Sequence, residues 1–64
     1  MVRPTILVIE DEEAQRLILQ HNLGEAGYEV ICADDGEIGW ELIKDYRPDL
    51  IVLEWRMPKL SGLE

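Results

Sequence analysis

Residues 50–53, Leu-Ile-Val-Leu, lie between Pro48-Asp49 and Glu54, and they constrain the fold more than any other stretch of the chain. Four apolar residues with no polar alternation, closed by charge at both ends, read as a short strand buried on both faces, the pattern of a parallel sheet rather than a surface hairpin. The run Thr5-Ile6-Leu7-Val8-Ile9 repeats the pattern: it is rich in β-branched residues and stops at Glu10-Asp11-Glu12-Glu13. Tyr28–Ala33 forms a third such segment, alternating at its start and apolar at its end, as an edge strand does.

The stretches between these strands have helical periodicity. Residues 12–26 are expected to form the first helix, capped by Asp11, begun with acids that suit the positive end of the macrodipole, and stopped by Gly27 in a left-handed conformation. Its apolar arc of Ile18, Leu19, Leu23 and Ala26 is interrupted by Gln15 and Asn22, and Asn22 is expected to be half-buried. Residues 36–46 form the second helix, with Ile38, Leu42, Ile43 and Tyr46 as its stripe and Arg47-Pro48 as its stop. Trp40 lies at the margin of that stripe. Strand, helix, strand, helix, strand with short connections implies right-handed crossovers and a parallel three-stranded sheet.

At 64 residues the chain is at most one small domain, of marginal stability. A formal charge of -8 argues against direct contact with nucleic acid or an anionic membrane and favours a cation or a cationic partner. The single cysteine, Cys32, has no internal disulfide partner and reads as a buried strand residue of a cytoplasmic protein. No apolar run approaches a membrane span, and the start of the chain lacks a signal-peptide core. His21 has no second His or Cys at metal-ligand spacing and is expected to be exposed.

If the second and third strands flank the first, Glu10, Asp11 and Glu54 converge at one edge of the sheet. Carboxylates gathered without a basic partner repel one another, so a cation, a raised pKa or a structural cost must answer for them; a solvated helix start is the plainer alternative. Oxygen ligands of this kind suit Mg²⁺, which takes one or two carboxylates and keeps several waters.

Taken together, Ile6–Glu12, Gly27–Val30, Ala33–Gly36, Arg47–Glu54 and Met57-Pro58 with Gly62 resemble receiver domains of two-component response regulators, in order and across almost the whole chain. The resemblance implies the amino-terminal half of a flavodoxin-like α/β fold, βαβαβ, with helices on both faces of the sheet. It also implies a site at which a histidine kinase phosphorylates an aspartate at the end of the third strand, biasing an output domain through a two-state switch. Carried over, Glu10 and Asp11 match the acidic pair that helps to hold Mg²⁺, and Arg56 falls where a backbone carbonyl completes the metal site. Glu54 falls on the phosphoacceptor position, and Trp55, Met57, Pro58 and Gly62 belong to the loop that shapes the pocket.

The acceptor position holds Glu54 and not Asp. One extra methylene displaces the carboxylate, and a misplacement of about 1 Å can cost on the order of 10²-fold in rate. The expected product is a receiver-like half-domain that is not an enzyme, is poorly phosphorylated, and acts by binding. The residues that would clasp a phosphoryl group fall in the part of the family's domain beyond this match. The outer edge of the third strand, Leu50, Ile51, Val52 and Leu53, then offers unpaired backbone groups to another strand, and homodimer formation is expected. The alternatives are a purely self-assembling module and a Mg²⁺-dependent acceptor working through Glu54.

Overall fold

The structure is a computed structural model and describes residues 2–54. The chain runs β1 (Thr5–Ile9), α1 (Glu13–Glu25), β2 (Glu29–Ala33), α2 (Gly36–Tyr46) and β3 (Leu50–Leu53). All pairing is parallel, in the order β2-β1-β3, with Val8 opposite Cys32 on one side and Val52 on the other. The chain crosses to one side of β1 and then back past it, so two right-handed crossovers place α1 and α2 on opposite faces of the sheet.

β1 is the centre of the molecule. Ile6, Leu7 and Val8 are at most 2% exposed, and successive side chains point to opposite faces, so both faces of this strand are covered. On one face Leu7 and Ile9 pack with Ala33, Ile31, Leu42 and Ile43, which seats α2 on the sheet. Gly39 permits that seating: a Cβ there would lie 2.5 Å from Ile9 Cδ1 and 2.9 Å from Ile9 Cγ1.

β3 departs from the expectation of a strand buried on both faces. Leu50, Ile51 and Leu53 are exposed and only Val52 is half-buried, because β3 is an edge strand with β1 as its one neighbour among the described residues. Its entry is fixed by a reciprocal pair of bonds to Thr5. Thr5 N–H donates to Asp49 Oδ2 at 2.7 Å, and Asp49 N–H donates to Thr5 O at 2.8 Å.

The helix ends follow local chemistry. Gly27, at φ 100°, closes α1 in a Schellman arrangement, with Tyr28 N–H donating to Leu23 O and Gly27 N–H to Gly24 O. Tyr28 N–H is thus spent on the helix, and β2 starts at Glu29. α2 is capped by Asp35, whose Oδ1 accepts from Ile38 N–H at 2.9 Å. It ends at Arg47, a non-glycine residue at φ 48°.

Two expectations about α1 need correction. Asp11 does not cap it; the N-cap is Glu12, and its side chain makes no capping bond. The expected stripe is also only partly used. Leu19 and Leu23 are half-buried, whereas Ile18, Leu17, Asn22 and Ala26 are exposed, since among the described residues α1 packs on β1 and β2 alone. On α2, likewise, Leu42 and Ile43 are half-buried while Ile38, Trp40 and Tyr46 are exposed. Cys32 is half-buried rather than buried, and His21 is exposed as expected.

Candidate functional site

The carboxyl ends of the strands carry the acids. Past Ile9 the ladder continues on both sides: Glu10 N–H donates to Ala33 O at 3.1 Å, and Glu54 N–H donates to Ile9 O at 3.0 Å. The backbones of Glu10 and Glu54 are therefore held in register with the strands they follow. Beyond them lies an open cavity of about 400 Å³ lined by Ile9, Asp11, Asp34, Asp35, Gly36, Leu53 and Glu54. This is the crevice outside the carboxyl ends of an open α/β sheet, at the strand order's switch point, where ligands of such folds bind.

The structure brings together Asp11 and Glu54, both on the cavity lining. Glu10 does not line it. Its side chain is 2% exposed, and Oε2 accepts from Glu12 N–H at 2.9 Å, so this carboxylate braces the turn into α1. The acid that stabilises the start of α1 thus comes from the end of the preceding strand. Arg56, Trp55, Met57, Pro58 and Gly62 lie outside the described residues.

Three features of the site were not anticipated from the sequence. Asp34 and Asp35 join the lining, so four acidic residues line one cavity. The signal for them was present in the chain, since a pair of acids directly after β2 must reach the same sheet edge as those after β1. The third feature is Arg16. Its Nη1 donates to Glu10 O at 2.9 Å and lies 3.4 Å from Asp34 Oδ1, with the arginine side chain only 18% exposed. The acids therefore do have a basic partner, supplied from the first turn and a half of α1. Nearby, burial pushes the Cys32 thiol pKa up, against a smaller downward pull from Arg16.

The donor set is oxygen only, as a hard cation such as Mg²⁺ requires. Among the described residues no group of three or more His, Cys, Asp and Glu is arranged to hold a metal ion; of the acids expected from the sequence to face one, Asp11 and Glu54 line the cavity. That fits Mg²⁺ with water filling the remaining positions, and not a fully protein-built cage.

The family model described as the response regulator receiver domain matches residues 6–64. The chain belongs to the response regulator receiver domain family. The receiver is similar to a Bacillus subtilis protein named alkaline phosphatase synthesis transcriptional regulatory protein PhoP, at 49% identity over 59 residues, covering 92% of this chain and 25% of the relative. It also resembles the phosphate regulon transcriptional regulatory protein PhoB of Pseudomonas aeruginosa, at 41% identity over 64 residues, covering 100% of the chain and 28% of that protein. A third relative is the response regulator MprA of a Mycobacterium species, 46% identical over 59 residues, with 92% and 26% covered. The receiver spans about a quarter of the length of each of these relatives.

Proposed function

We propose that this receiver works in two-component signalling as a binding element whose acceptor position does not take up a phosphoryl group efficiently. The observation that carries the reading is the placement of Glu54. Its N–H is anchored to Ile9 O at the end of β3, and it shares the cavity with Asp11. This is the position at which the family's phosphoaccepting aspartate is expected. A backbone held by the β1 ladder cannot retreat to absorb an added methylene, so the extra length of glutamate is expressed as outward displacement of the carboxylate. In-line phosphoryl transfer is intolerant of such a displacement, at on the order of 10²-fold in rate per ~1 Å.

In this reading Asp11 and Glu54 hold Mg²⁺, which supplies neutralisation of charge in the cavity when bound. Glu10 shapes the loop that presents Asp11. The partners are those of the family, a histidine kinase and an output domain, and the acidic surface leaves no role for direct nucleic-acid contact. The setting is the cytoplasm; among the described residues no helix is long and apolar enough to cross a membrane. Glu54 imitates a phosphorylated aspartate only in part, having less charge and fewer acceptor oxygens than a phosphoryl group. The test is phosphoryl uptake from a small acyl phosphate in the presence of Mg²⁺, where the reading expects none at Glu54.

A second activity rests on a separate observation, the exposed Leu50, Ile51 and Leu53 on β3, whose outer edge is unpaired among the described residues. Such an edge pairs readily with another strand. As an isolated 64-residue polypeptide the receiver is expected to form a two-fold homodimer through residues 50–53.

A further inference from the structure

The cavity is lined by four acidic residues, yet they are not equivalent. Asp11, Asp35 and Glu54 differ from Asp34 in one respect: of the four, Asp34 is the one paired with a base, Arg16, at 3.4 Å. Asp35 is committed in another way, as the cap of α2 through Ile38 N–H. Arg16 is itself fixed at two points, since the same Nη1 donates to Glu10 O, and its side chain is largely withdrawn from water. A guanidinium fixed in a partly dehydrated setting acts on neighbouring charge more strongly than one free in solvent. The other ion pairs of the described residues lie elsewhere. Arg3 pairs with Glu29 at the opposite end of the sheet, and Lys44 pairs with Glu41 along α2.

We infer that Arg16 is a positioning residue for the acidic cavity: it holds Asp34 away from a bound divalent cation and thereby sets how tightly the cavity binds one. This rests on the reading of the cavity as a Mg²⁺ site. With Arg16 in place the ion meets Asp11 and Glu54, while the charge of Asp34, whose side chain is 68% exposed, is partly offset by the guanidinium and Asp35 is occupied at the helix start. Without Arg16, the carboxylate of Asp34, already on the cavity lining, is free to turn to the ion, and the local charge becomes one unit more negative. Both changes favour the cation. The arginine therefore keeps the site weak, so that the ion exchanges with the solvent and is not locked in place.

The test is titration of the folded chain with Mg²⁺ and Mn²⁺, followed calorimetrically, on wild type, Arg16→Gln, Arg16→Lys and the double variant Arg16→Gln/Asp34→Asn. Arg16→Gln is expected to tighten cation binding about three- to tenfold, the size expected for one added unit charge several ångströms from a divalent ion in a largely aqueous site. Arg16→Lys stays near wild type, and the double variant returns toward it. A purely structural role for Arg16 lowers the melting temperature without tightening binding, and unchanged or weaker binding in Arg16→Gln overturns the inference. If Arg16→Gln does not fold, Asp34→Asn and Asp11→Asn decide. The inference expects a large loss of affinity from Asp11→Asn and a small one from Asp34→Asn, and equal losses contradict it. Absence of cation binding in wild type and Arg16→Gln alike removes the Mg²⁺ reading and this inference together. Binding by wild type with no gain in Arg16→Gln removes the inference alone.

Discussion

At the scale of single residues, two adjacent acids in the sequence have opposite fates. Glu10 is buried and hydrogen-bonded to Glu12 N–H, whereas Asp11 is exposed on the cavity. Removing Glu10 deletes the acceptor that braces the turn and leaves a void where a fully packed side chain stood, together worth about 2–3 kcal/mol. Glu10→Ala is therefore expected to lower unfolding free energy by about 2–3 kcal/mol, while Asp11→Ala changes it by less than about 0.5 kcal/mol; urea denaturation of the two variants checks the contrast. The sequence alone does not separate these residues. Both follow an apolar run and both precede a helix, and only the register of Glu10 with Ala33 decides which side chain turns inward. Arg16 was equally hidden, because its partner Asp34 is distant in sequence and meets it only once β1 and β2 are side by side.

At the scale of elements, β1 and α2 were the most legible. The β-branched run Thr5–Ile9 became the buried central strand, and Asp35 with Gly36 marked the start of α2. The exposed side of β3 was less legible, since an apolar run states what a strand can bury and not what lies beside it. The seating of α2 was hidden too, because Gly39 reads in the sequence only as a weak helix former. Its role is a contact: Gly39→Ala gains about 1 kcal/mol of helix propensity but forces Ile9 to move. A net loss of about 1–2 kcal/mol is expected from the overpacking, relieved in part by Ile9→Val, which deletes the Cδ1 atom nearest the new Cβ. Thermal melts of the two single variants and the double variant measure the coupling. β2 adds a pH dependence through Cys32. Because burial raises its pKa in the folded state, its contribution is fully present below the ordinary thiol range and is lost as pH rises through the raised value. The stability difference between wild type and Cys32→Ala is thus expected to shrink in alkaline solution, which urea melts at neutral and alkaline pH will show.

For the whole molecule, the two ends of the sheet have different characters. At the carboxyl end of the strands four acids and Arg16 frame a cavity, and along the side of β3 lies an apolar edge with no strand paired to it among the described residues. The open edge leads to an expectation for the isolated chain: light scattering at micromolar concentration gives the mass of a dimer, and a charge placed in the edge by Ile51→Lys returns it to the monomer. A folded monomer for the unmodified chain contradicts pairing through β3. The cavity bears on the central claim, that a receiver fold is kept here while the acceptor position is occupied by a carboxylate of the wrong length. Intact mass after incubation with acetyl phosphate and Mg²⁺ tests it most directly, with a phosphorylatable receiver treated in parallel. The account predicts an unchanged mass for this chain while the control gains one phosphoryl group. A stable adduct mapped to Glu54 would contradict it.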